Sequence, residues 1–280
     1  MTAYHRPRTL DEALAIRAAT GALPLAGGTD IHPLRTARAA WGEPWRDAIL
    51  DLSAVPGLDG IADTPEGWRI GARTTWTTIA EAPLPPLFDG LRAAAREVGG
   101  RQAQNRGTIA GNLVTASPAG DGIPNLLALE AVVECASASG TRRLPVAEFL
   151  TGYRATALAP GEIVTAIHIP RREGARGRFV KLGARRYLVI SIAMAAAVLR
   201  SEGGRIAQAR IAVGACSPVA QRLPALEAAL RGVELARAAA VPDAAHLAPL
   251  APIADIRASA EYRADAALAL LRDLLAGFAP

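Results

Sequence analysis

The chain has little cysteine, histidine or aromatic residue, and each shortage excludes something. Of 280 residues, only Cys135 and Cys216 are cysteines. Two distant thiols with no C-x-x-C pair cannot supply the four thiolates of an ordinary iron–sulfur cluster. They read as small buried apolar residues in a reducing compartment. A disulfide between them has no support in the sequence. His5, His32, His168 and His246 show no ligand spacing, so no metal site is expected. Aromatics make up 4% of the chain, and like charges do not cluster in runs. The stacking platforms and basic stretches of a nucleic-acid groove are therefore missing, although the net charge is +5.

Long apolar runs are also absent. The longest, Tyr187 to Leu199, is interrupted only by Ser191 and ends at Arg200. It is shorter than the roughly 18 residues a membrane span requires, so no membrane insertion is expected. Met1 to Arg8 has no apolar signal-peptide core, and a cytoplasmic location follows as an expectation. There is no G-x-G-x-x-G opening a helix and no G-x-x-x-x-G-K-[ST], which disfavours a Rossmann site and a P-loop. No Ser-His-Asp set and no convincing carboxylate pair is found, so no catalytic residues of the chain's own are expected.

What is present is an Ala-, Leu-, Val- and Ile-rich chain, 51% hydrophobic and 20% charged, long enough for two domains. Thr9-Leu-Asp-Glu12 resembles a capping box for a helix over 12–19, ended by Gly21. Short strands are expected at Leu23 to Ala26, Ile49 to Leu52, Trp68 to Gly71, Val132 to Ala136 and Ile163 to Pro170. Helices are expected over 87–98, 125–131, 223–230, 233–240 and 261–275. Ile192 to Leu199 and Ile206 to Val213 flank Glu202-Gly203-Gly204, a hairpin signal, with a helix as the competing reading of the Ala-rich first arm. Charged, Gly-containing Arg171 to Gly177 marks a domain boundary. This irregular mixture predicts an α+β fold rather than a doubly wound sheet.

Two glycine-bearing segments stand out. Pro24-Leu-Ala-Gly-Gly-Thr-Asp-Ile31 follows a strand. Its glycines permit a tight turn, its amides can form an anion-binding concavity, and Thr29 adds a hydroxyl. Asp30 is expected to accept hydrogen bonds from loop amides. An ordinary Gly-Gly turn is the competing reading. The second segment lies in Gly99 to Pro124, which reads as a long ordered loop of the kind that carries function. There Gly107-Thr-Ile-Ala-Gly-Asn112, with Thr115, Ser117 and Asp121, has the small and polar residues needed to line an extended diphosphate ligand. The competing reading is a solvated surface loop.

Together, Ala26 to Asp30, Thr108 to Asn112 and Ala116 to Asp121 resemble the paired FAD loops of the molybdenum hydroxylase flavin subunits, the xanthine dehydrogenase and carbon monoxide dehydrogenase type. The resemblance continues through Val98 to Asn105, Gly161 to Pro170, Phe179 to Arg186 and Ile211 to Pro218, with Arg222 and Glu227. It implies a vanillyl-alcohol-oxidase (PCMH)-type FAD-binding domain over 1–172, in subdomains of about 1–55 and 56–172. A small α+β C-terminal domain over 176–280 follows. It implies non-covalent FAD held by Pro24, Leu25, Ala26, Gly27, Gly28, Thr29, Asp30, Ile31, Thr108, Ile109, Gly111, Asn112, Thr115, Ser117, Asp121, Val164 and Lys181. Lys181 would place a cation at the flavin's pyrimidine edge, unless it is a solvated strand lysine. Tyr187 would lie near the flavin's exposed face, unless it is a packing tyrosine.

The chain departs from the family where Ala103-Gln104-Asn105 replaces a common Ile-Arg-Asn, removing a positive charge, and where Ala110 replaces a common Gly. The resemblance further implies partners, a molybdopterin-binding large subunit and a 2Fe-2S small subunit. Electrons would pass from iron–sulfur centres to FAD and on to NAD, oxygen or another acceptor, and the substrate pocket would lie in another subunit. A partner with a twin-arginine signal would carry the complex to the outside. The other readings are a free-standing FAD-dependent oxidoreductase of the same fold and an assembly protein that has lost FAD.

Overall fold

The computed structural model describes residues 3–279. Met1 and Thr2, which begin the N-terminal segment read above, and Pro280, the end of the second domain, lie outside them. The first unit is a three-stranded parallel sheet in the order β1-β3-β2, from β1 (Tyr4–His5), β2 (Leu23–Leu25) and β3 (Ile49–Asp51). Helix α1 (Leu10–Thr20) connects β1 to β2. Thr9 caps it by accepting from Glu12 N, and Gly21 ends it at φ +64°. The reciprocal bond of the capping box moves one residue outward, because Glu12 accepts from Arg8 N. Helix α2 (Ile31–Ala40) follows the first glycine loop and has no buried residue. That is why apolar periodicity did not reveal it.

The second unit is a five-stranded antiparallel sheet, β4-β5-β10-β6-β7. In chain order its elements are β4 (Ile61–Thr64), β5 (Gly67–Gly71), α3 (Trp76–Glu81), α4 (Asp89–Glu97), α5 (Arg101–Gln104), α6 (Ile109–Thr115), α7 (Gly122–Ala128), β6 (Val132–Ser137), β7 (Gly140–Pro145), α8 (Val146–Phe149), the two-stranded β8 (Leu150–Gly152) and β9 (Ala155–Thr156), and β10 (Ile163–Pro170). Ala136 and Ile163 share a core with Ala13, Leu14, Leu50 and Leu52, which seats the first unit on this sheet.

Gly99 to Pro124 is not one loop. It contains α5, α6 and the start of α7. Ile109, Ala110 and Leu113 turn inward from α6, and Thr108 caps it by accepting from Gly111 N. The helices are short enough that glycine and polar residues mask their periodicity. The helix expected over 233–240 is a 3₁₀ turn at Leu235–Ala240. Pro242 prevents its continuation.

The C-terminal unit is a sheet of β11 (Ala175–Leu182), β12 (Ala193–Glu202), β13 (Arg205–Gly214) and β14 (Gln221–Arg222), with α9 (Pro224–Ala229) and α10 (Ala260–Ala276). The hairpin of β12 and β13 turns at Gly203-Gly204, both at positive φ. On β12, Met194, Ala196 and Val198 face the core of the second unit. Ala193, Ala195, Ala197 and Leu199 face the core that includes α10. A strand buried on both faces reads as a continuous apolar run, so alternation could not separate strand from helix. Among the described residues no helix is long and apolar enough to cross a membrane.

Candidate functional site

The first glycine loop lies at the carboxyl end of β2 and leads into α2. The backbone closes through His32 N donating to Gly28 O at 3.0 Å. Gly28 takes φ +76°, the left-handed region that favours glycine. Gly27 is required for another reason. A Cβ there would lie 1.9 Å from Arg106 O and 3.0 Å from Gly107 Cα. The two glycine segments therefore meet backbone to backbone, although they are widely separated in the chain. The amides of Gly27, Gly28 and Thr29 donate to nothing among the described residues. Such a row of free donors forms an anion cradle. Asp30 does not brace it: the residue is exposed and its carboxylate makes no capping bond. The backbone closes the turn without it.

The second segment contributes differently from what its composition implied. The amides of Ile109 to Gly111 are already used. Ile109 N donates to Thr74 O at 3.1 Å, Ala110 N to Ala72 O at 3.4 Å and Gly111 N to Thr108 Oγ1 at 3.2 Å. The segment also brings side-chain chemistry. Asn112 Oδ1 is buried with no hydrogen-bond partner. Gly120 and Gly122 pack around this amide: a Cβ on Gly122 would be 3.0 Å from Asn112 Oδ1 and 2.6 Å from Trp76 Cη2. Buried Trp76 also lies against Gly107, and so spaces the two ends of the segment. Thr115 and Ser117 are half-buried, and Ser117 Oγ accepts from Ala119 N at 3.3 Å. Ala110 is at negative φ inside α6, so it replaces glycine without backbone strain. Gln104 is buried and donates to Arg96 O at 2.9 Å.

Asp121 and Lys181 come together across the junction of the second and C-terminal units. Lys181 Nζ donates to Asp121 Oδ2 at 2.7 Å and to Val189 O at 3.2 Å. Ser191 Oγ donates to Asp121 Oδ1 at 2.6 Å. Burial pushes the Asp121 carboxyl above the usual carboxylate range, with Lys181 and Ser191 pulling against it. Lys181 is thus neither a solvated strand lysine nor a lone cation, but half of a buried ion pair.

Not every expected residue joins this assembly. The side chains of Val164 and Ile109 belong to the hydrophobic core, leaving their backbones as what could face a ligand. Tyr187 is exposed, its ring under Arg186, on the loop that links β11 to β12. It is no packing tyrosine. Sequence reasoning marked Gly107 but missed Arg106, Trp76 and Ser191. For Ser191 a signal existed, since it is the single interruption of the longest apolar run. Both cysteines are buried and free. Among the described residues no group of three or more His, Cys, Asp or Glu could hold a metal.

Comparison with known proteins agrees over nearly the whole length. Residues 1–172 match the FAD binding domain in molybdopterin dehydrogenase. Residues 178–277 match the CO dehydrogenase flavoprotein C-terminal domain. The chain is 36% identical to the nicotine 6-hydroxylase medium subunit of Paenarthrobacter nicotinovorans over 85% of its own length and 83% of the relative's. It is 30% identical to the xanthine dehydrogenase FAD-binding subunit of Escherichia coli O157:H7, over 93% and 90% respectively. Among solved structures, it superposes on a chain of the reconstituted CO dehydrogenase of Oligotropha carboxidovorans with a TM-score of 0.88. That match is at 29% identity and covers 100% of this chain and 99% of the other.

Proposed function

This chain belongs to the FAD-binding subunits of the molybdopterin dehydrogenases, oxidoreductases of the xanthine and carbon monoxide dehydrogenase type, and from that premise we propose that it is the electron-transfer subunit of a heteromeric complex. One observation carries the reading. The free amides of Gly27, Gly28 and Thr29 lie beside the Arg106–Gly107 backbone, and the segment that Gly107 opens carries an unpaired, buried Asn112 Oδ1. An anion cradle and an orphaned polar atom are what an extended diphosphate ligand would satisfy. The residues present therefore fit FAD.

In this reading the unit of residues 1–172 would hold FAD without a covalent bond, and the unit of residues 176–280 would bring Lys181 to it beside Asp121. Backbone at Pro24 to Ile31 would cradle the diphosphate. Thr108, Asn112, Thr115 and Ser117 would offer hydroxyl and amide groups, and the Ile109, Gly111 and Val164 backbones would lie against the ligand. Asp121 and Lys181 supply a hydrogen-bonding pair, and Tyr187 lies at the exposed side. When bound, FAD would supply the redox chemistry by which this chain relays electrons from iron–sulfur centres of a partner subunit to an external acceptor. The chain itself binds, orients and shields; it needs no acid–base dyad. The molybdopterin and 2Fe-2S centres belong to a large and a small partner subunit, and the complex works in the cytoplasm.

The test is to titrate the purified chain with FAD and follow quenching of flavin fluorescence, then co-express it with its candidate partners. Stoichiometric uptake, with molybdenum and iron in the co-purified complex, is the expected result. A chain that never takes up FAD, alone or in complex, would overturn the reading.

A further inference from the structure

Ser191 is 2% exposed within an apolar run. A hydroxyl buried in such surroundings costs free energy unless it is partnered. Its partner lies on another unit, as Ser191 Oγ donates to Asp121 Oδ1 at 2.6 Å. Lys181 Nζ takes the other oxygen at 2.7 Å. Residues 183–191 leave the sheet between Lys181 and β12, and Ile192 N donates to Leu182 O at 2.7 Å to close the base of the excursion. A single carboxylate thus grips the chain on both sides of the loop.

We propose that Ser191 is the positioning residue of the cofactor site: its hydroxyl holds Asp121 ionised and fixed in orientation, so that Lys181 is presented to FAD as half of a neutral pair. This rests on the FAD reading above. Burial opposes ionisation of Asp121, and among the described residues Lys181 is the charged group that faces its carboxylate. Asn125 Nδ2 goes instead to the backbone carbonyl of Asp121 at 3.1 Å. With Oδ1 held by Ser191, Oδ2 stays aimed at the ammonium. Asp121 and Val189 O take two of the three Lys181 donors, leaving the third for a ligand acceptor. The flavin's surroundings then carry a hydrogen bond from Lys181 without a net positive charge.

The experiment compares wild type, S191A and S191T. A hydrogen bond to a charged group is worth on the order of a tenfold change in an equilibrium constant, so S191A should weaken FAD binding about tenfold at neutral pH. The second readout is thermal stability of the cofactor-free chain against pH. Losing the hydroxyl penalises ionised Asp121 more than its neutral form. The stability gap between S191A and wild type should therefore be largest at neutral pH and close as the pH falls and Asp121 is protonated. S191T keeps the hydroxyl and should follow the wild-type pH dependence. A gap independent of pH would show that Ser191 merely packs, and unchanged FAD affinity in S191A would show that it does not position the pair; either overturns the proposal. A wild-type chain that binds no FAD counts against the functional reading, while the pH dependence still decides whether Ser191 holds Asp121.

Discussion

Gly27 and Arg106 touch through their backbones so closely that the space a Cβ of Gly27 would need is held by the Arg106 carbonyl oxygen, 1.9 Å away. The contact joins the first glycine segment to the second and turns two unremarkable loops into one cradle.

The first prediction concerns that contact. Gly27→Ala must push the two segments apart, and overpacking of this kind costs about 3 kcal/mol. Gly28→Ala meets a different obstacle, a left-handed backbone at φ +76°, worth about 1 kcal/mol, beside an exposed His32 ring that can swing away. Melting curves with flavin content read from absorbance should show both variants losing FAD, and G27A losing more stability. Equal stability losses would mean that the Gly27 contact is not tight.

Asn112 offers the opposite combination. Its Oδ1 has no partner in the cofactor-free chain, and an unsatisfied buried polar atom costs about 1–3 kcal/mol. Asn112→Ala should leave the melting temperature of the cofactor-free chain near that of wild type. FAD affinity should fall, and FAD should stabilise the variant less than wild type. Titration of both chains with FAD in a thermal-shift measurement checks this, and an unchanged FAD-induced shift would remove Asn112 from the site.

Acid sensitivity is expected from the turn before α10. Asp255 accepts from Arg257 N at 2.8 Å and from the buried Arg263 at 2.7 Å, and these hold its carboxyl down at about 2, against 3.8 for an ordinary aspartate. A folded-state value below the unfolded one gives stability that is present above about pH 4 and is lost as the pH falls toward about 2. Asp255→Asn should lower the melting temperature at neutral pH and flatten its decline over that acid range. Two profiles that fall in parallel would place the acid sensitivity elsewhere.

The thiols should be inert in the folded chain. Burial pushes both Cys135 and Cys216 up to about 11, leaving almost no thiolate at neutral pH. An aromatic disulfide reagent should titrate none of them before denaturant is added and two afterwards. Rapid reaction of the native chain would contradict the packing described around either residue.

Much of the architecture was legible locally. Thr9 and Gly21 bracket α1, Gly203-Gly204 turn the hairpin, and the residues of β10 were identified in full, because caps, turns and apolar runs act over a few residues. The glycine segments themselves were also visible. Other features depended on neighbours far away in the chain. The amides of Ile109 to Gly111 look free in the sequence but are taken by Thr74, Ala72 and Thr108, whereas those of Gly27 to Thr29 remain open. Lys181 reads as an isolated cation until Asp121, 60 residues earlier, neutralises it. A hydrogen-bond donor or a charge is defined by whether something else has already claimed it. That claim is settled only when β11 and β12 pack against the second unit, and so the sequence determined which residues could bind a cofactor, while the tertiary structure decided which of them are left free to do so.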